Sequence, residues 1–591
     1  MSNQNVGPTA LGKAVVVVFI LALLAGAGFF FKDSIFPQNT DASNQVVDLD
    51  AFNQNQQLST PSPSPSTPVQ STVSDAPGGI TTVSEYTFVP NEKLPPVKGV
   101  SAYKWNDEEK IVQFPINVWI GWLPIVAANN GFAPNEDSVF YKKYGFKVNL
   151  KLIDDPVTAR DAFVSGDSYV LWGTLDMMAL FAPELMRDSR TAPRIYQQVD
   201  WSSGGDGIVV RNGINSVKDL KGKTIVYAQN SPSQYFINNI LLQSGIQPNE
   251  VTHRYTATAF EAAAAFVSDS SIDACVSWAP DIYNIPEKVR GTRILTTTAE
   301  ANKLIADVWA VRADFARDHP EIVEGLVGGI FEGMRLLKND TQKAKAIQQM
   351  SEGYGMSAEE VRSMTADAHS TNFAENVNFF LNANSPSNFE RTWNNIIFVY
   401  RELGLIGTPI RFDEIMDFSV IKKFQESGEF ADMVDENVAS FSPVTYAKLN
   451  LEKPILTQTI RINFYPNSTN IYEPQHDELY NPIPDTLYDP NVDATIEKVA
   501  RLSGQYDKAI IAIVGHADSS MKGKVPPGVV KKLSLERAQS VADSLVEKYG
   551  FDQSKFTVTG KGWDEPADMN DPNNQTLNRR VEIAVYSPEQ K

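Results

Sequence analysis

The chain contains one cysteine, Cys275, and five histidines among 591 residues, and these two scarcities remove whole classes of chemistry. A single cysteine forms no internal disulfide, and none directly follows the N-terminal apolar run, which argues against a bacterial lipoprotein anchor. The histidines, His253, His319, His369, His476 and His516, are scattered with no pair at metal-ligand spacing, so a histidine-based metal centre or nucleophile has little to be built from. Basic residues are also short: 52 Lys and Arg stand against 71 Asp and Glu, a net charge of -19. That balance argues against nucleic acid or an anionic membrane surface as the main partner. The chain does have length beyond what one core supports, and its 42% hydrophobic content is ordinary for globular protein. Several domains are expected.

Residues 1–31 contain the apolar run Ala14 to Phe31 (AVVVVFILALLAGAGFFF), flanked by Lys13 and Lys32 and long enough to cross a bilayer as a helix. Ala25-Gly26-Ala27 offers a small-x-small cleavage site, but continuation of the run through Phe29, Phe30 and Phe31 favours a retained single transmembrane helix. No acidic residue lies within it. Because an ionisable group in lipid is costly and kept for function, its absence argues against ion conduction by this segment. Residues 32–108 are rich in Ser, Thr, Pro, Gln and Asn around TPSPSPSTP (Thr60 to Pro68). Such a composition buries too little apolar surface to offset ordering entropy, and reads as a disordered linker.

From about Lys110 strands and helices alternate: IVQFPINVWIG, PIVAANNGF, FKVNLKLI, TARDAFVSG and SYVLWGT, then a second series from GDGIVVRN to IDACVSWAP. Two successive α/β series with short crossings predict two lobes and a cleft over residues 109–410. The later DVWAVRAD stretch is expected to re-enter the first lobe. IGWLPIVAANNGF, AFVSGDSYVLWGT, VKDLKGKTIVYAQNSPS and SIDACVSWAPDI, in this order, resemble the periplasmic solute-binding proteins of ABC importers, in the group of taurine, alkanesulfonate, nitrate and thiamine-precursor binders. The resemblance implies a two-lobed periplasmic-binding-protein fold and a small-molecule solute. Enzymes among these relatives use a cysteine-rich motif that Cys275 alone cannot supply, so no catalysis, metal or cofactor is expected.

Loops that follow the expected strands nominate Trp122, Thr174, Asp176, Ser202, Ser231, Ser233, Trp278 and Asp281 for the solute. In SPSQ, Ser231 can cap a helix, Pro232 fits its first position and Gln234 completes a capping box. A helix start of that kind presents free N–H groups to an oxyanion, or Ser231 simply caps its own helix. Trp122 and Trp278 could stack on a ligand or belong to the core. Asp176, Asp206 and Asp281 oppose an anion; if two of them face the cleft, an amine or zwitterion fits better.

Residues 411–454 read as a helical connector, and residues 455–591 as a last domain. Here IIAIVGHAD reads as a buried strand opening into a loop. In LSLERAQSVADSLVEKYG (Leu533 to Gly550) Leu533, Ala538, Val541 and Leu545 share one helical face and Gly550 is the stop signal. KFTVTGKG and RRVEIAV alternate as half-buried strands, which together predict an α+β sandwich. GHADSS, LSLERA, GKGWDEP and NRRVE resemble the peptidoglycan-binding domain of OmpA-family outer-membrane proteins and MotB-like stators. The resemblance implies that Asp518 and Arg537 grip diaminopimelate of the wall stem peptide. A carboxylate accepts from its ammonium, and a guanidinium holds its carboxylate through parallel bonds. The alternative is that the two merely pair with each other. Departures from the family pattern are Ala517 for a threonine, the long loop MKGKVPPGVVKK, and Asn574-Gln575 where a Gly-Arg pair is common. His516 and Arg580 are expected in packing and internal salt bridges. The insertion NSTNIYEPQHDELYNPIPDTLYDP reads as a floppy loop or a protein-binding surface. The whole implies a periplasmic protein held in the inner membrane by one helix, gripping peptidoglycan and presenting a solute-binding module, with an envelope complex as a further partner. The alternative is a scaffold whose cleft has lost its ligand.

Overall fold

A computed structural model describes residues 79–91, 94–449, 454–465 and 467–587, all within the unit Thr72–Lys591. The apolar run 14–31 and the proline-rich centre of the expected linker lie outside the described residues. Among those described, no helix is long and apolar enough to cross a membrane.

The described chain weaves between lobes. Strand β1 (Phe88–Val89) lies at the edge of the second lobe's sheet, while β2 (Ile111–Ile116), β3 (Lys147–Leu152), β4 (Val170–Thr174) and β5 (Pro193–Ser202) build the first. The chain then crosses to β6 (Asp206–Arg211), β7 (Thr224–Ala228), β8 (Thr252–Thr256), β9 (Ala274–Trp278) and β10 (Thr292–Thr297), and returns in β11 (Ala306–Arg312) and β12 (Ala368–Ser370). The first lobe's sheet has the order β12-β5-β11-β4, with the parallel pair β2-β3 beside it; the second has the order β1-β8-β7-β9-β6-β10. The predicted re-entry is therefore seen, since β11 pairs antiparallel with both β4 and β5. Helix Pro320–Leu336 packs closely on Leu123–Asn129. A Cβ at Gly333 would stand 2.0 Å from the Pro124 carbonyl oxygen, so only glycine permits that approach.

The segment from residue 79 to 108 departs from the expected spacer. Phe88 and Val89 pair with Thr256 and Tyr255, Ile80, Tyr86 and Phe88 pack on the apolar cluster around Val209 and Phe266, and buried Arg160 donates to the Pro95 carbonyl at 2.7 Å. The reason is local: Tyr86, Thr87 and Phe88 alternate apolar and polar, which suits a sheet edge even inside a polar stretch.

The C-terminal domain orders β13 (Leu456–Ile460), β14 (Ile510–His516), β15 (Phe556–Gly562) and β16 (Val581–Tyr586) as β13-β16-β14-β15. Its long helix spans Pro527–Tyr549 with Pro at its start. It therefore begins six residues before Leu533, within the loop expected from sequence, because proline's fixed φ suits a first helical turn. Ala538, Val541 and Leu545 are buried as the periodicity predicts, whereas Leu533 is half-buried. Gly515 and Gly560 let the helix lie close: a Cβ at either would sit 2.0 Å from Ser534 O or 2.2 Å from Lys531 O. In the connector, helix Ser419–Ser427 buries Val420, Ile421 and Phe424. Lys303, in the segment joining β10 to β11, pairs with Asp507 at 3.1 Å, and Asn302 accepts from the Lys508 N–H at 3.1 Å, so the last domain seats against the crossing between lobes.

Candidate functional site

Asp518 sits in the loop after β14 and Arg537 on the long helix, and both line an open pocket of about 690 Å³ shared with Arg461, Phe464, Tyr488 and Arg579. Each is held from a different direction. Asp518 accepts the Ser520 backbone N–H at 2.8 Å through Oδ1 and Arg579 Nη1 at 3.2 Å through Oδ2. Arg537 lies over the Phe464 ring at 4.5 Å and donates Nε to the Ser468 carbonyl at 3.1 Å. Burial lowers the Arg537 pKa, with Asp518 opposing and Arg579 adding to that effect, yet a guanidinium stays charged. Among the described ion pairs none joins Asp518 to Arg537; Asp518 pairs with Arg579 instead. Arg537 directs Nε to the Ser468 carbonyl, and among the described residues its Nη1 and Nη2 donate no hydrogen bond.

His516 and Arg580 border the same pocket but serve an internal cluster. Arg580 Nε donates to Glu582 at 2.7 Å and His516 Nε2 stands 3.6 Å from the same carboxylate. Burial alone would raise the Glu582 pKa, but these two neighbours outweigh it and hold the group at about 2. Sequence reasoning missed Arg579, Phe464 and the stretch after residue 466. The insertion read as a floppy loop supplies the Ser468 carbonyl behind Arg537 and the Thr469 carbonyl that takes the Ser540 hydroxyl at 2.7 Å.

The second candidate lies between the lobes, and cross-strand register builds it. Thr174, Asp307 and Asp200 are neighbours in one row across β4, β11 and β5, and Asp206 stands opposite Trp278 across β6 and β9. Residues opposite one another in adjacent strands share a face, so each lobe presents one polar row. The pocket between them is lined by Asn117, Trp119, Trp172, Thr174, Asp206, Ser231, Trp278 and Asp307 and encloses about 20 Å³, room for about one water. Trp119 Nε1 donates to both Asp200 oxygens at 3.2 and 3.3 Å. Gly121 permits this, because a Cβ there would fall 1.8 Å from Asp200 Oδ2.

Carboxylates dominate the electrostatics. Burial pushes Asp206 up to about 7, with Ser202 opposing and Asp176 and Asp367 adding to the rise. Burial likewise raises Asp200 and Asp307; hydrogen bonds from Trp119 and Asp307 oppose the rise at Asp200, whereas the charges of Asp200, Asp206 and Asp176 add to it at Asp307. Asp206 Oδ1 and Trp278 Nε1 are buried without hydrogen-bond partners.

Thr174, Ser231 and Trp278 thus line this pocket. Trp122 does not: it is 0% exposed, donates its indole N–H to Asn117 Oδ1 at 2.8 Å and packs edge-on to Phe114, because an apolar ring in the first turn after β2 faces the core. Asp176 lies under its helix, takes the Tyr400 hydroxyl at 3.1 Å and is pushed up to about 6 by burial. Ser202 stands behind the pocket and donates to Asp206 Oδ2 at 2.6 Å. Ser233 is wholly buried with its hydroxyl unpartnered, and it does not line the pocket. Asp281 faces the N-terminal segment, accepting the Thr82 N–H and hydroxyl at 2.8 and 2.7 Å. The capping box does not form: Ser231 donates its hydroxyl to the Ala228 carbonyl at 2.9 Å, and Gln234 accepts the Asn230 N–H at 2.8 Å. Asp200, Asp307 and Trp119 were missed. For the two acids the signal was a carboxylate set inside strand-like stretches, YQQVDW and IADVWAV; Trp119 had no such signal.

Residues 463–580 match the model of the OmpA family, and residues 136–344 match that of the NMT1/THI5-like family. The chain is 29% identical over 192 residues to the taurine-binding periplasmic protein of Escherichia coli strain K12, covering 32% of this chain and 57% of that protein. It is 32% identical over 141 residues to outer membrane protein Omp38 of Acinetobacter baumannii, covering 24% of this chain and 33% of that protein. The chain therefore spans between about a third and just over half of the length of these curated relatives. Among solved structures it is similar to the periplasmic aliphatic sulphonate-binding protein SsuA of Escherichia coli, at 18% identity over 52% of this chain and 96% of that one, TM-score 0.40. The periplasmic nitrate-binding protein NrtA of Synechocystis gives 13% identity over 56% of this chain and 92% of that one, TM-score 0.41.

Proposed function

We propose that this chain is an envelope protein that binds peptidoglycan through its C-terminal domain and a small solute through its two-lobed module, and that residues 14–31 hold it in the inner membrane with its bulk in the periplasm. The observation that carries the wall-binding reading is the pair of opposite charges that share one open pocket without pairing. Asp518 is fixed by the Ser520 N–H, and Arg537 by Phe464 and the Ser468 carbonyl. A diaminopimelate end carries an ammonium and a carboxylate on one carbon. In this reading the ammonium donates to Asp518 while both Nη nitrogens of Arg537 take the carboxylate, a bidentate geometry that fixes orientation. Neither step moves a proton. The Arg579 bond to Asp518 is half exposed on its arginine side and therefore weak, so Arg579 can yield to an incoming ammonium or turn to its carboxylate.

The match to the OmpA family model supports this reading, as the match to the NMT1/THI5-like model supports a solute in the cleft. Purified sacculi should retain the wild-type chain in a pull-down, and both Asp518→Ala and Arg537→Ala should abolish retention. Unchanged retention of the two variants would remove the site. One observation favours a second reading, a scaffold between membrane and wall: the interlobe pocket encloses only about 20 Å³. A scaffold predicts no change in melting temperature across a broad panel of solutes, since only a ligand bound by the folded state raises it.

A further inference from the structure

We infer that the solute of the interlobe cleft is a small organic cation, a primary or methylated amine, and not an oxyanion; this rests on the solute-binding reading above. The row Asp307–Asp200 from one lobe faces Asp206 from the other, and the pocket's lining contains no Lys, Arg or His. An oxyanion entering here would meet carboxylates opposed by no full positive charge, only by neutral donors such as the Trp278 N–H and by the helix start at Pro232, in a buried site where like-charge repulsion is strong.

The unpartnered groups say more. Asp206 Oδ1, an acceptor, and Trp278 Nε1, a donor, are both buried without partners and both line this pocket. Asp206 and Trp278 are 3% and 6% exposed, shielded from bulk solvent, and a buried polar group gains from a partner that a ligand brings. An ammonium supplies donors for Asp206 and Asp307. A hydroxyl, ether or carbonyl oxygen on the same molecule supplies the acceptor that Trp278 lacks. Trp119, Trp172 and Trp278 border the space, and aromatic faces stabilise an organic cation, methylated ones included. Among the described residues no cluster of His, Cys, Asp and Glu is arranged to hold a metal ion, which points away from a bare cation. The ligand needs the lobes to part, and the described strands are joined across the lobes at three places, between β1 and β2, at 203–205 and at 298–305.

Burial holds Asp206 at about 7 among Asp176, Asp200, Asp307, Asp367 and Tyr283. With only acids around it, the empty site carries protons near neutral pH. An arriving ammonium favours the ionised form, so amine binding should release protons.

Titration calorimetry and thermal shift on the full chain, with ethanolamine and choline against taurine, methanesulfonate and nitrate, test this. The amines should raise the melting temperature, with a binding heat that changes with the ionisation enthalpy of the buffer. Asp206→Asn and Asp307→Asn should each weaken amine binding on the order of 30-fold or more while retaining wild-type circular dichroism. Binding of an oxyanion but no amine, or amine binding unchanged in both variants, overturns the inference and leaves a solute-binding module in place. Amine binding without buffer dependence overturns the protonated empty site. No response to any probe overturns the solute-binding reading itself.

Discussion

The two pockets of this molecule hold charge in opposite ways. The C-terminal pocket is open, carries both signs, and ties each charge to a partner on its far side: Asp518 to Ser520 and Arg579, Arg537 to Phe464 and Ser468. The interlobe pocket is closed, carries one sign, and leaves Asp206 Oδ1 and Trp278 Nε1 without partners. The first holds its two charges fixed and apart, as the proposed zwitterionic ligand requires. The second crowds acids together, raising their pKa values, and a cation is what the inference above would place among them. Ligand class is thus read more directly from what a site leaves unmatched than from which residue types line it.

The largest effect expected from breaking this contrast is on stability. Trp122→Ala should cost about 3–5 kcal/mol, the usual range for removing a buried aromatic ring, because Trp122 is 0% exposed and packs on Phe114. Denaturant unfolding of the full chain would measure it. The variant should still prefer amines over oxyanions, since Trp122 does not line the pocket; a switch in preference would place it in the site after all.

The next effect sharpens the contrast through pH. Asp206 is held at about 7 by burial, against about 3.9 in an unfolded chain. As pH rises from about 4 to 7 the unfolded chain loses this proton first, so the folded two-lobed module loses stability over that window, by an amount on the order of 2–4 kcal/mol, and levels off above it. Glu582 beside the other pocket is held at about 2, below its unfolded value of about 4.3. Its contribution is complete above the unfolded value and disappears as pH falls toward 2. Hydrogen exchange followed separately in the two domains should therefore show stability falling between about pH 4 and 7 in the first and rising between about pH 2 and 4 in the second. Asp206→Asn should reduce the first slope, which Asp200, Asp307 and Asp176 share, and leave the second unchanged. Equal slopes in both domains would contradict the assignment of these two groups.

Much of the architecture was legible because period-two and period-3.6 patterns are local. The strand entering GHAD, the helix face Ala538, Val541, Leu545 and the return of DVWAVRAD to the first lobe all follow from residue order alone. What was not legible depends on pairing across the fold. Asp200 and Asp307 are more than a hundred positions apart, and only antiparallel register sets them side by side. Asp281 follows a strand as a cleft residue would, but Thr82, nearly two hundred positions earlier, occupies it. Trp122 and Trp119 are three residues apart with opposite fates: Trp122 turns inward against Phe114, and Trp119 reaches Asp200 through a space that only Gly121 leaves open. No spacing rule separates them.

The smallest predicted effect tests how far the open pocket's balance depends on its outermost charge. Arg579 is 54% exposed along its side chain and meets Asp518 at 3.2 Å through one nitrogen, the geometry of a surface ion pair worth about 0.2–1 kcal/mol. Arg579→Ala should therefore barely change unfolding. It should also reduce retention on sacculi by less than about tenfold, whereas Arg537→Ala removes the guanidinium held over Phe464 and should abolish it. Loss of Arg579 also removes a competitor for Asp518, so a slight gain in retention at low salt would fit the same picture. Abolished retention in Arg579→Ala with Arg537→Ala unaffected would mean that the stem-peptide carboxylate is held at the rim by Arg579, and that Arg537 serves to join the long helix to the segment around Ser468.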